Sequence, residues 1–384
     1  MRFPGFEGQW VKHTLGETGE PYIGLTYSPA DVVPEGGVIV FRSSNIKDGE
    51  IDYCDIVRVN KRIKESLITR KDDLLICARN GSPKLIGKNT LLKENDANQT
   101  FGAFMLVYRS PDNHFIHQLL ATKRYYSQVS ENLGARINQI TTANIKDFEF
   151  FFPKDKDERD KISRFLDLID QRIAIQNKVI ERYQSLIRAL IQKAQRGATM
   201  SVQLRDILTE RKELNSQSFD ICSVSVSKGI VNQIEYLGRS FAAKETSNYH
   251  VVRMGDIVYT KSPTGDFPYG IIKQSIIKSP VAVSPLYGVY EPTSFVIGKY
   301  LHYYFCSPGN TLNYLHPLIQ KGAKNTINIT NQHFLDNKVP IPNKAMLETT
   351  VEAITSLASR CDLEEDALYC FLKQKEFLLK NLFI

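Results

Sequence analysis

Several common functional classes are hard to reconcile with what this chain lacks. Its cysteines, Cys54, Cys77, Cys222, Cys306, Cys361 and Cys370, are scattered and form no Cys-x-x-Cys pair. That argues against a zinc ribbon or a disulfide framework and, with no signal-peptide pattern ahead of them, predicts a reduced cytoplasmic setting. No apolar run approaches the length of a membrane span, so no membrane partner is expected. His114 and His117 have no nearby Glu or Cys at metal-ligand spacing and read as helix-surface residues. Gly81 to Asn89 looks like a phosphate loop, but it has one residue too many between its glycines and Asn89 where magnesium binding wants Ser or Thr. There is no glycine-rich dinucleotide fingerprint after a strand and no Gly-x-Ser-x-Gly elbow. Together these absences favour a binding protein over an enzyme.

What is present is ordinary soluble composition, 42% apolar and 24% charged over 384 residues, with a net charge of +7 and a sequence pI near 8.9. The length allows two or more domains, and the basic balance suits a polyanionic partner. The organising feature is a stripe of Ile162, Phe165, Ile169, Ile173, Ile180, Tyr183, Ile187, Leu190 and Ala194 at helical spacing. Roughly 40 residues at 1.5 Å each give a rod of about 60 Å, and so narrow a seam calls for a second helix against it. Leu347, Val351, Ile354, Leu357, Cys361, Leu368, Phe371, Leu378 and Leu382 supply one of nearly equal length.

Each rod follows a globular segment. Residues 1–153 show short strand-like runs, clearest at Val38 to Phe41, Ile51 to Val59, Asp73 to Ala78 and Gly102 to Val107. A helical stretch from about His114 to Val129 and a last apolar run, Phe148 to Phe152, come next. Pro153 ends that run, Asp155 with Glu158 has capping-box spacing for the first rod, and Gly197 reads as its C-terminal cap. The second half repeats the first. Arg70 to Leu75 aligns with Arg253 to Val258, Gly134-Ala135-Arg136 with Gly322-Ala323-Lys324, Ile140-Thr141 with Ile329-Thr330, and Pro153 with Pro342. The expected fold is therefore α+β, with two similar mixed α/β heads, 1–153 and 198–341, and two long helices, 154–197 and 342–384. Antiparallel rods would give the chain a pseudo-two-fold axis with unlike heads at opposite ends. Such an object suits a lattice carrying two separate, different sites, as duplex DNA does when read in half-sites about 34–36 Å apart.

These residues resemble the specificity subunits of type I restriction-modification systems over essentially the whole chain. The likeness is carried by Arg2-Phe3-Pro4-Gly5-Phe6 with Trp10 and Leu15-Gly16, Ala78 to Ser82 with Leu85 to Lys88, and Gly134 to Thr141. In the second half it is carried by Ser225 to Val231 and Tyr249 to Asp256. The resemblance implies a non-catalytic subunit whose two target recognition domains each read one half of a split, asymmetric double-stranded DNA sequence. A coiled-coil spacer would set the gap and help dock two methyltransferase subunits, to which motor-nuclease subunits are added. It also implies that S-adenosylmethionine, ATP and Mg2+ belong to those partners. The chain has no Asn-Pro-Pro-Tyr or Asp-Pro-Pro-Tyr, the motif resembling what adenine methyltransferases use to hold a flipped base. In the second head, Lys261 to Asp266 replaces the Arg-Asn-Gly-Ser of the first, which fits heads reading different sequences.

Candidate DNA contacts follow from residue type and position, because Arg or Lys grips guanine or phosphate and Asn grips adenine. They are Arg79, Asn80, Ser82, Lys84, Lys88 and Asn89 in one loop, with Arg42, Ser43, Asn45 and Lys47 in another. In the second head they are Lys228, Lys261, Ser262, Thr264 and Lys273. Against this stands the plain reading of solvated loops and turn hydrogen bonds. Arg136 and Lys324, in an element present in both halves, suit either a phosphate grip or a structural turn. Most tyrosines read as core, and the charges on the first rod as its solvated face. The competing function is a structural adaptor whose rods pair with another chain and whose heads bind proteins.

Overall fold

The first apolar stripe folds as one helix of 41 residues, Lys156–Arg196, and the second as one of 39, Lys344–Leu382. A computed structural model describes residues 2–133, 138–237, 245–321 and 327–383. Each long helix begins just past a proline that closes a strand, Glu149–Phe152 or Lys338–Ile341. A short polar side chain then takes a free amide of the first turn. Asp155 Oδ1 accepts the Asp157 N–H at 2.8 Å, and Asn343 Oδ1 accepts that of Met346 at 3.0 Å. The capping box expected of Glu158 does not form. Its fully buried carboxylate accepts two hydrogen bonds from Arg2, at 2.8 and 2.7 Å, which pins the N-terminal segment to the helix. Gly197 follows the first helix but is not left-handed. A Cβ there would sit 2.7 Å from Met346 Cε, so the glycine makes room for that side chain.

By contacts the chain divides into two compact units, Met1–Lys178 with Asp366–Ile384, and Val179–Glu365. Each unit thus holds one head and a stretch of both long helices. In the first unit, Ile162, Leu166 and Ile169 share a core with Leu378 and Leu382 and with Phe115, Phe150 and Phe152 of the head. Arg172 lies 4.2 Å from the ring centre of Phe371, and Lys375 pairs with Asp170. In the second unit, Ile191 and Ala194 share a core with Leu347, Val351 and Ile354 and with Tyr300, Phe334 and Val339 of that head. Early positions on one helix meet late positions on the other in both units, so the two helices run antiparallel. The stripe read from sequence omits Leu166 and Ile191, both buried.

The heads are built on one frame. In the first, Glu20–Ile23, Met105–Arg109, Leu74–Cys77 and Asn89–Leu91 lie side by side in that order, all antiparallel. In the second, Leu208–Glu210, Gly288–Pro292, Ile257–Tyr259 and Ile272–Gln274 repeat it. The register repeats too. Leu74 faces Tyr108 and Leu91, and Ile257 faces Tyr290 and Gln274. Both heads close with a two-stranded ribbon beside the long helix, Val11–Thr14 with Glu149–Phe152 and Met200–Gln203 with Lys338–Ile341. Thr141 caps the short helix Thr142–Asp147, and Thr330 precedes the short helix His333–Asp336; each hydroxyl accepts an N–H three residues on at 3.1 Å. The heads differ in what surrounds the frame. The first adds a four-stranded sheet containing Val38–Phe41 and Val57–Val59, while the second has two small ribbons, Cys222–Ser225 with Gly229–Asn232 and His250–Val252 with Val281–Val283.

Two local expectations change. The run Ile51 to Val59 is not one strand but Glu50–Ile51 and Val57–Val59, because the Asn45 amide gathers the carbonyls of Asp52 and Asp55 and turns the chain. The stretch His114 to Val129 is two helices, Asn113–Leu119 and Lys123–Asn132, with Thr122 capping the second.

The Arg-x-x-Asp repeat has a structural basis. Asp73 and Asp256 each accept the backbone N–H three residues earlier, from Arg70 and Arg253, and each takes a two-pronged hydrogen bond from an arginine, Arg109 or Arg211. Asp256 is 2% exposed, and burial holds its carboxyl above the usual value even beside Arg211. Removing the arginine strands a charge in the interior. Arg211→Met should therefore destabilise the second unit by about 3 kcal/mol, measured by urea unfolding; a loss below about 1 kcal/mol would show the pair to be dispensable.

Candidate nucleic-acid interface

In the first head the two candidate loops come together. The segment after Val38–Phe41 turns through Ser43–Asn45, and the segment after Leu74–Cys77 forms a loop that ends at Asn89–Leu91. The Asn80 amide donates to Ser43 Oγ at 3.0 Å, and the Lys88 ammonium donates to the Ile46 carbonyl. The loop is held from inside at Gly87, whose φ is +82° and where a Cβ would lie 3.1 Å from the Tyr125 hydroxyl. That hydroxyl donates to the Gly87 carbonyl at 3.0 Å, so only glycine fits this backbone. Asn138 donates to the Gly81 carbonyl at 3.2 Å, and Gln139 bridges to Arg79 through the backbone.

The candidates then separate by what their side chains already do. Arg79, Lys84 and Lys47 are exposed. Arg79 lies 5.0 Å from the ring centre of Phe104, which steadies a cation on the surface. Asn80 and Ser82 are half-buried and linked, Asn80 Oδ1 accepting the Ser82 N–H at 3.0 Å. Arg42 is turned to Asp55, its Nη2 donating to the carboxylate at 2.8 Å, and Ser43 is occupied by Asn80. Three candidates are structural. Asn45 is 0% exposed with its amide spent within the turn. Lys88 is tied to Ile46, and Asn89 to the Gly87 carbonyl at 2.9 Å.

In the second head the corresponding loop has the same length despite its different sequence. Thr260 N–H pairs with the Ile271 carbonyl as Cys77 N–H does with that of Lys88. Gly270, at φ +99°, stands where Gly87 stands. A Cβ on Gly270 would collide with the Thr260 carbonyl at 1.8 Å. Ser262 and Thr264 are exposed on this loop and Lys261 is half-buried at its root. Burial lowers the Lys261 pKa. Lys228 sits in the turn between Cys222–Ser225 and Gly229–Asn232, 3.6 Å from Glu365. Lys273 is not a surface contact. It pairs with Val258 in the register that Thr90 takes opposite Leu75, an inward position, and it is 5% exposed with its ammonium 3.3 Å from Cys306 Sγ. Arg136 and Lys324 lie outside the described residues; the neighbouring Ile140 and Ile329 are buried at equivalent places in the two cores.

His114 lies between Asp72 and Asp167 at 3.2 and 3.3 Å, and the hydrogen bond to Asp167 is the main cause of its raised pKa. His117 is only partly exposed. Among the described residues no cluster of His, Cys, Asp and Glu could hold a metal ion, and no helix is long and apolar enough to cross a membrane.

The loops so assembled belong to a stretch with a recognisable kin. Residues 8–183 match the family model described as the type I restriction modification DNA specificity domain. This stretch is therefore similar to a type I restriction-modification DNA specificity domain. No curated protein matches the chain. Among solved structures, the type I restriction-modification S subunit from M. genitalium shares 16% identity at a TM-score of 0.64, covering 100% of this chain and 99% of its own. That likeness extends the S-subunit fold to the second head and both long helices. An S subunit from Thermoanaerobacter tengcongensis, named HsdS, shares 13% identity at a TM-score of 0.35, covering 100% of this chain and 98% of that one. A chain solved in work on complex assembly and conformational transition of the type I R-M system shares 13% at 0.47, covering 99% and 98%.

The division between structural and exposed candidates is directly testable in the first head. Asn45→Ala should lower stability by about 1–3 kcal/mol, because it removes the fully buried amide that accepts the Arg42 N–H and donates to the Asp52 and Asp55 carbonyls. Arg79→Ala should leave the melting curve within about 0.5 kcal/mol of the parent and weaken DNA binding about tenfold or more. Equal melting curves for the two variants would reverse the assignment.

Proposed function

We propose that this chain is the DNA sequence-specificity subunit of a type I restriction-modification enzyme, with target recognition domains at 1–153 and 198–341 and spacer helices at 154–197 and 342–384. Each head reads one half of a bipartite, asymmetric target. The observation that carries this is the duplicated hairpin. A specificity domain matched in the first half recurs in the second with the same strands, register and glycine-closed loop, while the loop side chains differ. Identical frames with different tips are what two unlike half-sites require, since phosphate contacts position a protein and base contacts specify the sequence. The contacts we assign are Arg79, Lys84, Lys47, Asn80, Ser82, Arg42 and Ser43 in the first head, and Ser262, Thr264, Lys261 and Lys228 in the second.

The long helices set the number of unread base pairs between the halves and dock two methyltransferase subunits, with motor-nuclease subunits joining for restriction. S-adenosylmethionine, ATP and Mg2+ then belong to those partners, which work in the cytoplasm where the DNA is. Co-expressed with its methyltransferase, the chain should direct adenine methylation to a single bipartite sequence, read by sequencing methylated adenines. Exchanging residues 198–341 for another such head should change one half only; a change in both halves would contradict modular reading.

Two further outcomes follow. Inserting one helical turn, about 5.4 Å, into both long helices at matching positions should add roughly one to two base pairs to the gap and leave both halves unchanged. DNA affinity should fall steeply as salt rises, since gripped phosphates release counterions. An affinity insensitive to salt would favour the protein-binding adaptor instead.

A further inference from the structure

We infer that Phe104 and Leu286 are specificity-determining residues, one in each head, that read DNA through apolar contact with the methyl group of a thymine. The inference rests on the reading of the heads as DNA-recognition domains and names the chemistry of one contact in each.

Phe104 is 57% exposed and Leu286 is 72% exposed. Single exposed apolar residues are common and by themselves mean little. These two occupy the same place in two heads whose surrounding sequences differ. Tyr108 and Tyr290 are register equivalents, each opposite the first residue of the neighbouring central strand, Leu74 or Ile257. Four residues before each tyrosine stand Phe104 and Leu286. Both ride the same tight turn. Met105 N–H donates to the Gly102 carbonyl at 2.8 Å, and Tyr287 N–H donates to that of Ser284 at 2.9 Å.

The position lies at the mouth of the candidate loop. The Phe104 carbonyl accepts the N–H groups of Ala78 at 2.9 Å and Arg79 at 3.0 Å, which fixes the turn to the start of that loop. The Arg79 guanidinium lies over the ring. In the second head, Lys261 and Ser262 hold the positions of Ala78 and Arg79 in the frame. A backbone hydrogen bond already closes the turn in each head, which lowers the conformational freedom lost when its side chain is covered.

Phe and Leu share only an apolar surface, so the matching group on DNA must be apolar as well. In an intact duplex the base faces are covered by stacking, and exposing one costs a few kcal/mol. On the base edges the C5 methyl of thymine is the apolar group on offer, and it faces the major groove. A ring and a branched aliphatic chain differ in reach, so the two heads would contact thymines at different positions of their half-sites.

The test uses the full-length chain and its preferred target, selected from randomised duplexes. Each thymine of the target is replaced in turn by uracil, which removes only the methyl group. One replacement in one half-site should weaken binding by the parent chain about three- to tenfold, and by the Phe104→Ala variant not at all. One replacement in the other half-site should behave likewise with Leu286→Ala. Both variants should keep the parent's salt dependence, because neither removes a phosphate contact. If the alanine variants lower the melting midpoint, Phe104→Leu serves instead and should keep a reduced response to uracil. Half-sites without a methyl-sensitive thymine, or variants that respond to uracil as the parent does, overturn the inference while leaving the reading of the heads intact. Failure of the parent chain to select any sequence overturns that reading itself.

Discussion

The fold depends on the continuity between each head's core and its stretch of the paired long helices. Ile162, Leu166 and Ile169 do not merely face Leu378 and Leu382; they share one apolar cluster with Phe115, Phe150 and Phe152 of the first head. Ile191, Ala194 and Ile354 do the same with Tyr300 and Phe334 of the second. A helix pair joined to its head by a flexible linker could swivel. One that shares buried aromatic side chains with its head cannot, because turning it would expose apolar area at roughly 25 cal/mol per Å². Each head is thereby carried at a fixed attitude on its own stretch of helix.

Within each head the same economy appears at smaller scale. A buried carboxylate, Asp73 or Asp256, fastens the turn into the central strand and is itself gripped by an arginine. The arginine comes from different strands in the two heads: Arg109 ends the strand that follows the loop, while Arg211 follows the edge strand. The frame fixes where charge is needed and leaves open which part of the chain brings it. Beyond that frame, a loop closed by a positive-φ glycine presents Arg79, Asn80 and Ser82 in one head and Ser262 and Thr264 in the other. Side chains on such a loop can change without disturbing a core in which none of them takes part, so two heads can keep one architecture and present different side chains.

How much of this was legible in the sequence varies with the kind of residue. The long helices were plain because a helical period sustained over many turns has no other physical reading, and the repeat was plain because Arg-x-x-Asp, Ile-Thr and Pro recur in the same order. Boundaries of short strands were less so. Ile51 to Val59 reads as one strand-like run, yet the fully buried Asn45 amide, distant in neither sequence nor space, bends it in two. Among the candidate contacts, residue type alone could not tell Asn45, Lys88, Asn89 and Lys273 from the exposed Arg79 and Lys84, since an amide or an ammonium serves equally well to satisfy a carbonyl inside the protein. Phe104 and Leu286 carry no signal in the sequence, because an apolar residue in a turn looks like core until its exposure is known.

By itself, then, the sequence determined the class of object: two similar heads, two matched rods, a family likeness, and the loops where recognition would lie. Periodicity and repetition are one-dimensional properties and survive being read along a line. Which side chains face outward was decided only by the tertiary structure. A register shared by Thr90 and Lys273 sends a lysine inward, and a shared turn sends a phenylalanine and a leucine out, because strand pairing and close packing, neither visible along the chain, set the direction of each Cβ.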